Sequence, residues 1–140
     1  MESVAARGAA AIADPARDLV GLGPGLTPSG DDALIGALAL LDALAGDQAD
    51  ARTMRENLAR AVGDVPRGLT SPPSHCFLRV AAAGHIGERL HAAVSSCVSG
   101  DADAAVAAIR DIGQTSGWDM MAGIVTALDA VAAHAALRGR

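Results

Sequence analysis

The residues between 21 and 32 combine the features of an anion-binding loop with two adjacent carboxylates. The stretch reads GLGPGLTPSGDD, in which two hydroxyl side chains, Thr27 and Ser29, precede Asp31 and Asp32. A strongly apolar segment follows, which is typical of a central buried helix. The first turn of such a helix has unpaired N–H groups and a partial positive charge, and glycine lets a ligand approach them. The loop therefore predicts a binding site for a phosphate or a carboxylate.

A simple helix cap is the alternative interpretation of this loop. A cap needs a single side chain, whereas this loop carries several glycines and prolines that together indicate a defined shape. We therefore favour a binding function, in which Thr27 and Ser29 donate hydrogen bonds to the ligand.

The pattern S-G-x-D-x-x-x-G occurs twice, at residues 29–36 and 116–123. Each copy begins one of the two most apolar segments of the chain. Small residues are common here, so coincidence is one explanation. The other is that two central helices present equivalent N-termini to one place. Two converging N-termini, with Ser116 beside Thr27 and Ser29, could hold a small, doubly anionic molecule without lysine, which the chain lacks.

Three aspartates accompany these predicted helix N-termini. Asp32 and Asp119 occupy the same position in the two copies, so we favour a functional role for this pair and take them as the candidate catalytic residues. For Asp31 we favour a stabilising interaction with the helix dipole. Carboxylates beside an anion bind a bridging Mg²⁺, act as a general base, or accept hydrogen bonds from substrate N–H groups. The sequence leaves these three alternatives open, and it predicts no particular metal ligand set.

A second loop, residues 63–73, is also dense in turn-forming residues and reads GDVPRGLTSPP. Thr70 or Ser71 can cap a helix that starts near Ser74. Arg67 can bind a carboxylate through two parallel hydrogen bonds, or it can be a solvated loop arginine.

The elements that must position these residues are helical. Alanine, the best helix former, is abundant, and no segment shows the alternation of a strand. We predict a single all-α domain over residues 1–140, a compact bundle of about six to seven helices around two central apolar ones. The predicted helices span residues 2–13, 31–45 (central), 50–62, 74–83, 86–98, 102–112 and 117–137 (central).

Composition excludes several classes of function. The net charge is −5 and the arginines are scattered, which excludes a nucleic-acid-binding surface. The two cysteines are isolated, so neither a disulfide framework nor a zinc site is expected. The N-terminus lacks the apolar region of a signal peptide. The longest apolar stretch, residues 118–137, contains acids and is alanine-rich, so we expect a buried helix, no membrane span and a cytoplasmic location. With few large side chains, such a domain would gain from burial in a homo-oligomer.

Three stretches of the chain resemble the AllH-like family, long catalogued as a domain of unknown function. The first is GLGPGLTPSGDDALIGAL from residue 21, and the second is TSPPSHCFLRVAAAGHIGERLHAAV over residues 70–94. The third, GQTSGWDMMAG over residues 113–123, is similar to the family's G-x-S-S-G-x-D-x-x-x-G element, with Thr115 in place of the first serine. Family members are about twice as long as this chain, so the resemblance covers their C-terminal half.

The resemblance implies a subunit of oxamate carbamoyltransferase, an enzyme of anaerobic allantoin and purine catabolism. That enzyme converts oxalurate and phosphate to oxamate and carbamoyl phosphate, and it is implied to act as a complex with partner subunits, one of them related to acyl-CoA synthetases. Matching to the family's motifs implies three elements that bind a small anionic substrate. They are Gly23, Gly25, Thr27, Ser29, Gly30, Asp31 and Asp32; Thr70, Ser71 and Ser74; and Thr115, Ser116, Gly117 and Asp119.

Two other functions are compatible with the same residues. One is a non-catalytic domain that binds a small anion and regulates a partner, and it predicts ligand-dependent stabilisation without turnover. The other is a helical interaction module whose loops are only structural, and it predicts no anion-dependent change in melting temperature.

Overall fold

The computed structural model describes residues 15–138, and over this range the chain forms seven helices and no strands. The predicted all-α bundle is confirmed. The helix predicted over residues 2–13 lies outside the described residues. The helices are α1 over residues 15–19, α2 Ser29–Leu44, α3 Ala49–Gly63, α4 Pro72–Ala82, α5 Glu88–Ser99, α6 Ala102–Ile109 and α7 Ser116–Arg138.

The helix boundaries follow from local chemistry. Ser71 caps α4, because its Oγ accepts the Ser74 N–H at 3.2 Å, and Asp101 caps α6 in the same way. α6 ends at Ile109, earlier than predicted, because the Ile112 N–H donates to the Ile109 carbonyl and the chain turns. The sequence analysis did not predict helical structure for residues 15–19.

α2 lies at the centre of the bundle and packs against α3, α4, α5 and α7. Four consecutive residues, 38–41, are buried. Successive residues of a helix are about 100° apart, so this run places every side of α2 against protein. The nearly continuous apolar pattern of this segment therefore has a direct structural cause.

The closest helix contact joins α2 and α7 through two glycines. A Cβ atom on Gly36 would lie 2.0 Å from the Met120 carbonyl oxygen, and one on Gly123 would lie 1.8 Å from the Ala33 carbonyl oxygen. No side chain tolerates such distances, so only glycine allows the two backbones to approach this closely. Gly36 and Gly123 are equivalent in the sequence repeat, as are Ala33 and Met120. The two contacts are thus reciprocal, which is the pattern of an approximate two-fold axis.

The similarity extends to the segments that precede α2 and α7. Gly30 packs against the end of α1, where a Cβ would lie 1.9 Å from the Leu19 carbonyl oxygen. Gly117 packs against the end of α6 in the same way, 2.0 Å from the Ile109 carbonyl oxygen. The repeat is therefore a duplicated helix–turn–helix arrangement and not a coincidence of small residues.

α7 is buried on one face only, although the sequence suggested a buried helix. The opposite face exposes Trp118, Val125 and Leu128. By length and composition α7 could also cross a membrane, a property that it shares with core helices of soluble proteins. The buried residues of α7 are Gly117, Gly123, Ile124, Ala127 and Val131.

Candidate functional site

The loops that enter α2 and α7 meet, as the repeat predicts. The Thr27 Oγ1 and Ser116 Oγ atoms are 3.1 Å apart, so these two hydroxyls share a hydrogen bond across the duplicated arrangement. Asp32 and Asp119 lie in the first turns of α2 and α7. The meeting point opens into a pocket of about 770 Å³, whose polar end is formed by Thr27, Asp32 and Ser116. This volume lies in the range of small-molecule sites, about 300–1,000 Å³.

Asp32 is the most unusual polar residue of this pocket. It is 1% exposed, and its Oδ2 atom has no hydrogen-bond partner within the described part of the chain. The pKa of Asp32 is raised to about 6. Burial is the largest cause and the negative charge of Asp119 adds to it, whereas the hydroxyls of Ser116 and Thr27 act in the opposite direction. A buried carboxylate oxygen that lacks a donor is costly, and such groups concentrate at functional sites.

Asp119 repeats this feature on the other helix. Its Oδ2 atom is also buried and unpartnered among the described residues. An unpartnered buried carboxylate oxygen is satisfied by a proton, by a hydrogen-bond donor or by a cation, and a ligand can supply the last two. Residues 15–138 contain no group of three or more His, Cys, Asp or Glu side chains that could hold a metal ion. A cation here would therefore need additional ligands from the substrate or from water. Substrate N–H groups, in contrast, could donate directly to the carboxylates without further ligands.

The helix N-termini themselves offer few N–H groups to an anion. The Gly30 N–H donates to the Leu22 carbonyl at 2.9 Å, and the Gly117 N–H donates to the Ile112 carbonyl at 2.9 Å. The turns before α2 and α7 thus already provide acceptors for these two N–H groups. The helix dipoles remain, and they stabilise the ionised forms of the first-turn aspartates.

The rest of the pocket is apolar with a charged rim. Arg89 and Glu88, at the start of α5, lie on the rim with His85. Arg89 forms an exposed ion pair with Asp111 at 3.3 Å. The apolar wall consists of Ile35, Phe77, Val80, Ala81, Ile86, Leu90, Ile112 and Met120. Asp119 does not line the pocket itself and lies behind this polar end, in the first turn of α7. A ligand of this pocket can therefore place donors at the polar end that contains Asp32, an apolar part on the wall and an anionic group near Arg89.

Asp31 has a different role from its neighbour. It is fully buried and accepts hydrogen bonds from the Gly21 N–H at 2.8 Å and from the Ser74 Oγ at 2.6 Å, as well as from the Thr70 hydroxyl. Its carboxylate thus joins the loop before α2 to the loop before α4. The dipole interaction predicted for Asp31 accounts for only part of this role.

The structure brings some of the predicted site residues together and separates others. Thr70 and Ser74 bind Asp31, and the Ser71 hydroxyl donates to the Leu26 carbonyl, so these three hold the loops together. Arg67 lies in a second groove, outside the pocket. The others shape the loops or lie at the surface: Gly23 and Gly25 with positive φ angles, Gly30 and Gly117 in helix contacts, and Ser29 and Thr115 exposed.

Sequence reasoning missed the charged rim of the pocket. His85, Glu88 and Arg89 belong to the segment GHIGER, which joins α4 to α5. No spacing rule connects them to Asp32, which lies on another helix. The one available signal was that all three fall in the second stretch that resembles the family.

Comparison with known proteins identifies the family. No curated protein and no solved structure matches the chain. A family profile described as oxamate carbamoyltransferase subunit AllH matches residues 19–128, which include both copies of the repeat and every residue of the pocket. The chain therefore belongs to the AllH family of oxamate carbamoyltransferase subunits.

Proposed function

We propose that this chain is the subunit of a cytoplasmic oxamate carbamoyltransferase complex that binds the ureido substrate, oxalurate, in the pocket between α2, α4, α5 and α7. The observation that carries the proposal is the pair of buried, unpartnered carboxylate oxygens on Asp32 and Asp119. Oxalurate is a small anion with several N–H groups, and it complements such acceptors. The family assignment supplies the reaction class, and the pocket supplies a site of suitable size.

The polar end of the pocket recognises the ureido group. Asp32 and Asp119 accept its N–H groups, while the Thr27 and Ser116 hydroxyls, which already bind each other, contact its carbonyl oxygen. The substrate carboxylate lies toward Arg89 on the rim, away from the two aspartates. The paired helix N-termini thus bind the anion through its neutral donor-bearing end.

Asp32 is also suited to proton transfer. In the proposed reaction, a phosphate oxygen attacks the terminal carbamoyl carbon of oxalurate. The bond from that carbon to the inner nitrogen, which is shared with the oxamate part, breaks, so that oxamate leaves as carbamoyl phosphate forms. The departing nitrogen must gain a proton. A carboxyl group with a pKa of about 6 holds a proton in part of the population near neutral pH, which is the range in which general acids and bases work best.

A thermal-shift titration tests the proposed ligand. Oxalurate and oxamate should each raise the melting temperature of the 140-residue chain. At 100 times the dissociation constant the stabilisation is about 2.7 kcal/mol, or several degrees. Asp119→Asn should abolish the shift, because it replaces an acceptor by a donor. Asp129→Asn, an exposed substitution on the same helix, should leave the shift unchanged. An unchanged shift in Asp119→Asn would contradict the proposed pair of acceptors. A shift that requires Mg²⁺ would indicate that a bridging cation, and not direct N–H recognition, binds the ligand.

Turnover distinguishes a catalytic subunit from a regulatory one. The family description names a subunit, so activity should be measured with partner subunits present, as formation of carbamoyl phosphate from oxalurate and phosphate. Loss of activity in Asp32→Asn with retained complex formation supports catalysis at this site. Retained activity together with lost oxamate binding would instead assign this chain a regulatory, small-anion-binding role.

A further inference from the structure

A second groove, which we name the arginine groove, runs along the outer face of α4. Its polar lining comprises Arg67, Thr70, His75, Cys76, Arg79 and His85, and Val80 and Ala83 supply an apolar surface. Val80 and His85 separate this groove from the pocket at Asp32 and line both. Its volume is about 720 Å³, similar to that of the pocket at Asp32. We propose that this groove is a second ligand site that binds the phosphate group of a small molecule. This proposal goes beyond the proposed function and does not depend on it.

The charge of the arginine groove carries the proposal. The chain has a net charge of −5, yet no aspartate or glutamate lines this groove. Arg67 and Arg79 are exposed, and neither forms an ion pair or a side-chain hydrogen bond with another residue between 15 and 138. Other arginines of this chain, such as Arg55 and Arg89, do pair with acids. Two unpaired guanidinium groups in one concave surface match the charge and the planar hydrogen bonding of a phosphate group.

The walls of the groove are fixed by contacts that leave its arginines unengaged. The His75 ring donates from Nε2 to the Val65 carbonyl at 3.1 Å, which orients the imidazole in the wall. The Thr70 hydroxyl donates to Asp31, so the loop that carries Arg67 is tied to α2. A pre-organised wall lowers the entropy lost when a ligand binds. The apolar surface at Val80 and Ala83 favours a phosphate monoester with an organic part over inorganic phosphate.

Binding can be measured with inorganic phosphate and with phenyl phosphate as probes, at constant ionic strength, by calorimetry on the full chain. We expect both to bind, and phenyl phosphate to bind more tightly because of the apolar surface. Arg79→Gln should weaken binding by about tenfold or more, the loss expected for a charge-assisted hydrogen bond. Arg60→Gln is the matched control, because Arg60 is likewise an exposed arginine in the last turn of a helix but lies outside the groove.

The exposed Cys76 thiol, which lines the groove, gives an independent readout of location. Saturating phenyl phosphate should slow alkylation of Cys76 by iodoacetamide, whereas alkylation of Cys97, which lies outside the groove, should not change. Equal affinity of wild type and Arg79→Gln, or unprotected Cys76 at saturation, would overturn the proposal. So would tighter binding of an oligoglutamate peptide than of phenyl phosphate, which would assign the groove to an acidic protein partner.

The two sites can be separated in one experiment. Arg79→Gln should lose the response to phosphate and keep the response to oxamate, whereas Asp119→Asn should do the reverse. If phosphate binding disappears in Asp119→Asn and persists in Arg79→Gln, phosphate binds at the pocket and the proposal for the arginine groove fails. If oxamate binding survives in Asp119→Asn, the proposed function fails and the arginine groove is unaffected.

Discussion

Replacing Asp32 by asparagine should stabilise this protein at neutral pH while removing a functional group. The buried Asp32 carboxyl has a pKa raised from 3.8 to about 6. At 1.36 kcal/mol for each pKa unit, ionisation of Asp32 in the folded state costs up to about 3 kcal/mol. Water on the pocket side screens part of this, so we expect Asp32→Asn to raise the free energy of unfolding by about 1–3 kcal/mol at pH 7.5.

The pH dependence of this effect gives the sharper test. Below pH 3.8 Asp32 is protonated in both the folded and the unfolded chain, so wild type and variant should have similar stability. As the pH rises toward about 6, the unfolded state ionises first, and the wild type loses stability that the variant keeps. The difference between the two proteins should therefore grow across this interval and then level off. Taking the difference cancels the contributions of the other acids.

Urea denaturation followed by circular dichroism, at half-unit steps from pH 3.5 to 7.5, measures this difference directly. For a chain of this size, 1–3 kcal/mol corresponds to about 3–10 °C in Tm, from about 2.1 cal/mol/K of unfolding entropy per residue. The reasoning is refuted if Asp32→Asn is less stable than wild type at pH 7.5, or if the difference does not vary with pH. Asp31→Asn is the control, since Asp31 is equally buried but has all its donors.

The remaining predictions concern neighbouring contacts. Asp31→Asn should lower the free energy of unfolding by about 1–3 kcal/mol in urea titrations, because it weakens bonds from Gly21, Thr70 and Ser74; a neutral effect would contradict the role of Asp31 in joining the loops. Gly36→Ala should cost about 3 kcal/mol or more, since its Cβ would meet the Met120 carbonyl, while Gly63→Ala, with nothing within 4 Å, should be neutral or stabilising; equal effects would refute the close α2–α7 contact. Asp119→Asn should lower the pKa of Asp32, measured by NMR titration of its side-chain carboxyl, because a neighbouring negative charge is removed; an unchanged pKa would mean that the two carboxylates do not interact.

The raised pKa of Asp32 and the satisfied hydrogen bonds of Asp31 show why adjacent identical residues can differ in function. Both carboxylates are buried in the first turn of α2. Successive residues on a helix point in directions about 100° apart, so one faces the loop before α4 and the other faces α7 and the pocket. The sequence distinguished them only through the repeat, in which Asp32 has a partner at Asp119 and Asp31 has none.

Local sequence determined the secondary structure and the family of this protein. Alanine-rich apolar periodicity, together with Gly, Pro and capping residues such as Ser71, defined most helices to within a few residues, because these signals act over a single turn of chain. The glycine-rich motif and its repeat identified the family and predicted that Thr27 and Ser116 would meet. These inferences need no knowledge of which distant segments pack together.

Only the tertiary structure decided which residues face the pocket and which hold it together. Thr70 and Ser74 carry hydroxyls suited to a ligand, but the packing of α4 on α2 places them against Asp31. The sequence left open whether Arg67 binds the same anion or is a solvated loop arginine, and the fold places it with Arg79 in the arginine groove. The physical reason is that these contacts join residues about 40 positions apart in the chain. Which of them meet depends on how the helices pack and where the loops place their ends. The sequence shows which chemical groups are present and how they are spaced. It does not show which neighbours those groups contact in the folded protein.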